Sequence, residues 1–178
     1  MLAAPLPNAD ERRDNASFDA LLWALSRPGQ IRELPQAGDT AILSALIDRE
    51  CRVFCADPRL MPIAAELGAE IADLPCADHA FLGRLDDVSL LAQLAAGSDL
   101  YPDDGATAIL HVRHDTGPAV RLTGPGVNGA LAIRIGGLPE GFWAMRKSLI
   151  RYPMGFDLFL IDGRRVMGLP RSTQIEVL

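Results

Sequence analysis

Phe156-Asp157-Leu158-Phe159-Leu160-Ile161-Asp162-Gly163, continuing Arg164-Arg165-Val166-Met167-Gly168, is the stretch on which the fold turns. Leu158 to Ile161 offers no polar position, so an extended chain here buries both of its sides, as a strand inside a covered sheet does. Asp162-Gly163 is a hairpin turn signal, and Arg165 to Gly168 reads as the returning strand. Moving outward, Thr173 to Val177 predicts a last strand. Phe142, Met145 and Leu149 mark an amphipathic helix that Pro153 ends. Ala106 to Val112, Ala119 to Thr123 and Ala130 to Ile135 predict three more strands.

Ahead of the turn-rich Tyr101-Pro102-Asp103-Asp104-Gly105 the pattern is mostly helical. Asn15 is the expected cap of a helix with Phe18, Leu21, Leu22 and Leu25 on its apolar side, stopped at Ser26-Arg27-Pro28-Gly29. Asp39 is the expected cap of a second helix carrying Ile42, Leu43, Leu46 and Ile47. Arg52 to Ala56 reads as a short strand. A third helix runs from Pro58 to Gly68, and a fourth from Asp87 to Gly97. Strands flanked by helices predict an α/β sandwich of three layers, with helices on both faces of a mixed sheet. No composition break divides residues 1–178, so one domain is expected.

The chain has 178 residues, 49% of them hydrophobic and 22% charged, which excludes disordered and collagen-like architectures. No apolar run approaches the ~20 residues that span a bilayer. Residues 1–14 are too polar for a signal-peptide core, so a cytoplasmic protein is expected. The net charge of −6 argues against a nucleic-acid partner. It is unevenly spread: residues 1–104 hold 18 acidic and 8 basic side chains, and residues 105–178 hold 5 and 9. The basic half suits an anionic ligand or an acidic partner surface; alternatively the halves neutralise each other within one domain. Sixteen of the 17 basic residues are arginine, leaving Lys147 as the only lysine. That usage fits phosphate recognition, and it also fits a GC-rich coding bias.

Cys51, Cys55 and Cys76 are too few and wrongly spaced for a disulfide framework or a zinc site, and buried thiols are expected. His111 and His114, three apart on one expected strand, point to opposite faces and make no metal pair. No metal site and no catalytic residue is expected. Gly124-Pro125-Gly126-Val127-Asn128-Gly129 matches G-x-G-x-x-G, but a strand pattern follows it where a dinucleotide site needs a helix, so it reads as a turn. Asp157, entering a strand, either binds loop amides, the expected role, or serves a functional site. Arg171, beside Ser172 and Thr173, either grips an anion or forms a solvated edge. Gly124, Gly126, Asp157 and Arg171 are thus the candidate anion- or ligand-binding residues.

Taken in order, Phe18 with Ala24-Leu25-Ser26-Arg27-Pro28-Gly29, then Leu122-Thr123-Gly124-Pro125-Gly126, then Tyr152-Pro153-Met154-Gly155-Phe156-Asp157, then Leu169-Pro170-Arg171-Ser172-Thr173 resembles the PhnH family. These are the H subunits of the bacterial carbon–phosphorus lyase system for phosphonate breakdown. The family usually has Phe-Arg at Phe18-Asp19 and a second threonine at Ser172. The resemblance implies a body like the large domain of pyridoxal-phosphate-dependent transferases, without that cofactor. The residues agree: a Schiff base needs a lysine amine, and Lys147 sits in a helix pattern where exposure is expected. The resemblance also implies a homodimer in isolation and assembly with the G, I and J subunits. That complex, with the L subunit, displaces adenine from ATP by a phosphonate to give ribose 1-methylphosphonate 5-triphosphate. H would be a structural or accessory component, with no cofactor of its own. The alternatives are a stand-alone enzyme or binding protein for a phosphorylated or phosphonate metabolite, and a dimerisation scaffold for another pathway.

Overall fold

The computed structural model describes residues 6–178, so the first five residues of the polar opening stretch lie outside the described residues. The first helix, α1 (Ala9–Ser26), starts at Asn8 and not at Asn15. Asn8 Oδ1 accepts the N–H groups of Asp10 and Glu11 at 2.8 and 2.9 Å, and Glu11 Oε2 accepts the Asn8 N–H at 2.7 Å. This reciprocal pair satisfies donors that Asn15, already inside the helix, has no cause to satisfy. The buried stripe of α1 is Ser17, Ala20, Leu21 and Ala24. It has the expected i, i+3, i+4, i+7 spacing but is turned by one residue, which leaves Phe18 49% and Leu22 58% exposed.

After α1 come β1 (Ile31–Glu33), α2 (Asp39–Leu46), β2 (Arg52–Cys55), a 3₁₀ turn at Pro58–Leu60 that leads into α3 (Met61–Glu66), and β3 (Glu70–Ile71). Gly38, not Asp39, occupies the cap of α2, and the Asp39 side chain turns away to His111. A further 3₁₀ turn, Leu74–Cys76, precedes β4 (His79–Gly83), and 3₁₀ segments at Val88–Gln93 and Pro102–Asp104 lead to β5 (Thr107–His111). Asp87 does cap its segment, accepting the Ser89 N–H at 2.8 Å, but only 3₁₀ helix follows. The remainder is β6 (Arg113–Thr123), β7 (Leu131–Gly136), α4 (Phe142–Leu149), β8 (Asp157–Asp162), β9 (Arg165–Leu169) and β10 (Gln174–Val177). The first hundred residues carry more helix than strand, as expected, but besides the expected β2 they hold β1, β3 and β4. His79 to Gly83 is too short, and too apolar on both sides, to show an alternation.

Seven strands form one mixed sheet in the order β1-β9-β8-β5-β4-β2-β3. The run from β8 to β3 is parallel, and β9 and β1 close the edge antiparallel. Register places Cys55, Phe81, Ile109, Phe159 and Gly168 side by side in one row across five strands. The first four of these meet α1, α2 and α3 on one face. At Gly168 a side chain would stand 2.6 Å from the backbone of Ala24, so glycine lets α1 lie directly on β9. This close approach selects the small-residue stripe of α1 over the bulkier one.

Leu158, Leu160, Ala108 and Leu110 point to the opposite face. The layer there is not mainly helical. It is a three-stranded antiparallel sheet, β10-β6-β7, with α4 and the Val88–Gln93 segment beside it. Val120, Leu122 and Ile135 from the small sheet, and Phe142 and Trp143 from α4, fill that core. The expected last strand thus exists, but it joins the small sheet by pairing with β6. Covering both faces is what makes the middle of β8, Leu158 to Ile161, uniformly apolar: each buried Leu or Phe contributes about 1.5–3 kcal/mol through burial.

Candidate functional site

The four stretches that carry the family resemblance touch one another in the fold. Gly124 and Gly126 lie in the turn between β6 and β7, where a turn was expected. Both take positive φ, +121° and +80°. A side chain on Gly124 would meet the Ser172 carbonyl at 2.9 Å, and one on Gly126 would overlap the Ser26 carbonyl. The glycines therefore let this turn wedge between the end of α1 and the loop joining β9 to β10. They hold backbone close to backbone, and their amides are not arranged around a helix N-terminus as in a dinucleotide site.

Asp157 and Arg171 form the next contact. Asp157 Oδ1 accepts the Arg171 N–H at 2.6 Å, which bears out the expectation that this carboxylate binds a loop amide. Arg171 Nη2 donates to Asp157 Oδ2 at 2.7 Å, and its Nε lies 3.2 Å from both carboxylate oxygens. The guanidinium also donates to the carbonyls of Pro102 and Gly105. The two side chains are 14% and 20% exposed, so the pair is largely withdrawn from water. Arg171 is thereby no solvated edge: Nε, Nη1 and Nη2 all have acceptors within the protein, and the residue clasps the loop before β5 to the start of β8 and the end of β9.

Beside this clasp lies a cavity of about 720 Å³ between β6, α4 and the loop into β10. Thr123, Pro125, Tyr152, Arg171, Ser172 and Thr173 bring three of the resemblance stretches to its wall. Sequence reasoning passed over its most unusual member, Arg146. This side chain is buried, with 3% exposure, and donates to the carbonyls of Thr173 at 3.2 Å and Pro170 at 3.0 Å. No carboxylate pairs with it among the described residues, and its Nε has no partner. Burial pushes its pKa down to about 10, and the more distant Asp157 carboxylate only partly opposes that. The hydroxyl of Thr173 is likewise buried and without a partner. The available signal was Arg146 standing at i+4 from Phe142, on the apolar side of a short helix. Lys147 is exposed on α4, as the helix pattern predicts, and also lines the cavity.

The other polar groups lie elsewhere. His111 ends β5 and His114 stands in β6, so the two histidines are on strands of different sheets and not on opposite faces of one strand. His111 Nε2 is 2.9 Å from Asp39 Oδ2, a contact that raises the pKa of the histidine. Burial holds the His114 pKa below its ordinary value, and neither ring nitrogen has a partner among the described residues. Of the cysteines, only Cys55 is fully buried; Cys51 is half-buried and Cys76 exposed, contrary to the expectation of three buried thiols. Burial pushes the Cys55 thiol up to about 11, which leaves it protonated and a poor nucleophile at neutral pH. Among the described residues no group of three or more His, Cys, Asp or Glu could hold a metal ion, and no helix is long and apolar enough to cross a membrane.

Comparison with known proteins bears on what these contacts serve. The chain is 32% identical to the putative C-P lyase subunit protein HtxG of Stutzerimonas stutzeri, over 99% of its own length and 95% of that protein. It is 29% identical to the alpha-D-ribose 1-methylphosphonate 5-triphosphate synthase subunit PhnH of Rhizobium meliloti (strain 1021), over 89% of its length and 88% of that protein. Residues 8–176, which include all four contacting stretches, match the family described as bacterial phosphonate metabolism protein (PhnH), and the chain belongs to that family.

Proposed function

We propose that this chain is the H subunit of a ribose 1-methylphosphonate 5-triphosphate synthase within a carbon–phosphorus lyase system, and that it works by docking to the G, I and J subunits. The carrying observation is the match over residues 8–176, together with a relative named as that synthase subunit aligned along 89% of the chain. On this reading residues 1–178 form a single cytoplasmic domain with a transferase-like body that uses no pyridoxal phosphate, and the isolated chain is a homodimer. Two features support a docking role. The more buried ion pair near the cavity, Asp157–Arg171, is consumed in holding loops together. The exposed Phe18 and Leu22 give α1 an apolar stripe.

The test is to mix the purified chain with the G, I and J subunits and pass the mixture over a sizing column. Co-elution in one peak is expected. Separate elution of H under conditions where G, I and J remain together overturns the reading. Light scattering on the isolated chain should return twice the 19.2 kDa monomer mass.

A further inference from the structure

We infer that the loop 98–105 and the turn 151–154 form one face on which a second copy of this chain docks about a two-fold axis, with Leu100, Tyr101 and Tyr152 as apolar anchors. This rests on the homodimer proposed above and names the surface that makes it.

The argument starts from exposure. After Leu6, near the start of the chain, the most exposed large apolar side chains among the described residues are Leu100 at 85%, Tyr152 at 72% and Tyr101 at 60%. The two tyrosines are the only ones in the chain. Single exposed apolar residues are ordinary, but these three come from two segments whose bases touch. The Gly155 N–H donates to the Ala96 carbonyl at 2.8 Å, and a side chain on Gly105 would overlap the Gly155 carbonyl. Tyrosine is also among the residue types that anchor interfaces most often.

Both segments are set in place before any partner arrives. The Ser98 N–H donates to the Tyr101 carbonyl at 2.9 Å, and the Tyr101 N–H to Ser98 Oγ at 3.1 Å. Arg151 and Met154 exchange backbone hydrogen bonds at 3.1 and 2.9 Å. The Arg171 guanidinium, itself fixed by Asp157, donates to the carbonyls of Pro102 and Gly105. A largely buried ion pair thus steadies a loop that offers Leu100 and Tyr101 to water. A loop ordered in advance loses little freedom on docking, so more of its contact energy appears as affinity.

Charge selects the occupant. Asp99, Asp103 and Asp104 of the loop have no ion-pair partner among the described residues, and neither do Lys147 and Arg151 on the Tyr152 side. The face therefore has an acidic half and a basic half. A two-fold axis through it sets the acidic half of each copy against the basic half of the other, which is the self-complementarity of an isologous interface. A partner surface of one sign would be repelled by one half.

The experiment reads the mass of the full chain by light scattering at low ionic strength, with circular dichroism to show that each variant folds. The wild type is expected at twice 19.2 kDa. Leu100→Ser with Tyr101→Ser should weaken the dimer at least a hundredfold, because every change counts twice across a two-fold axis. A second pair of variants tests the charges at exposed positions. Asp99→Lys with Asp103→Lys and Asp104→Lys makes both halves basic, and Lys147→Asp with Arg151→Asp makes both acidic. Each should be monomeric alone, and the two should form a heterodimer when mixed. A monomeric wild type removes the homodimer reading and this inference with it. A dimeric wild type whose variants all stay dimeric removes the inference alone, as does a mixture of the two charge variants that stays monomeric. Variants that remain dimeric but no longer co-elute with the G, I and J subunits assign the face to those subunits and overturn the inference.

Discussion

Arg171 and Arg146 border the same cavity but meet different surroundings. Arg171 has a carboxylate squarely across from it and carbonyls on its remaining sides. Arg146, the more deeply buried of the two, has carbonyls alone. The first arrangement is complete within the chain and therefore structural. The second carries a desolvation cost that nothing inside the described residues offsets. The lesson is that the family's Leu-Pro-Arg-Ser stretch, which invites reading as an anion grip, is a clasp, whereas the uncompensated charge comes from a helix position outside every motif.

The sharpest way to break this comparison is Asp157→Ala. It strands the Arg171 guanidinium and should cost about 3–5 kcal/mol in urea unfolding, as the loss of one partner of a buried pair does. A cost below about 1 kcal/mol would show that Arg171 is no clasp. Next comes Gly126→Ala, which forces a side chain into the Ser26 carbonyl at a positive φ of +80°. We expect a loss of about 2–3 kcal/mol, measured in the same way, from strain combined with overpacking. Arg146→Met should be far milder than Asp157→Ala, within about 1 kcal/mol of the wild type in either direction, because an apolar replacement removes the desolvation cost along with two hydrogen bonds. A loss as large as that of Asp157→Ala would erase the distinction between the two arginines.

The smallest effect concerns a third cation, His111. Its contact with Asp39 raises the folded-state pKa above the ordinary 6.5. The stability it contributes is therefore fully present below the unfolded pKa and is lost as pH rises through the folded one. With the ring nearly half exposed, solvent screening keeps the contribution below about 1 kcal/mol. NMR titration of the His111 ring should give a midpoint above 6.5 that Asp39→Asn returns toward it.

Much of this was legible in the residues, and the failures have physical causes. The β8–β9 hairpin, the strands at β5 and β7 and helix α4 follow from patterns strong enough to survive any tertiary context. The start of α1 was missed because Asn8 and Asn15 are equally good caps, and only the reciprocal bond from Glu11 separates them. The buried stripe of α1 was misplaced by one residue because its partner, Gly168, lies far along the chain and rewards small side chains over large ones. The small sheet was read as part of the large one, since a strand's pattern records burial but not its neighbours. Asp157 was legible as an amide acceptor. Arg146 was not, because a basic residue on the apolar side of a short helix looks like a surface arginine until its surroundings are known.

The contact of α1 with β9, and the pairing of Ile31 with Met167, tie α1 and β1 to a strand far along the chain. Such pairing between distant positions slows folding, because loop closure must come before the reward. On the ribosome, α1 and β1 must wait, with their sticky surfaces open, until β9 has emerged. Synthesis beside sister subunits, or under chaperone cover, would shelter that interval. A stop codon that removes β9 should leave an insoluble product, not a shortened domain.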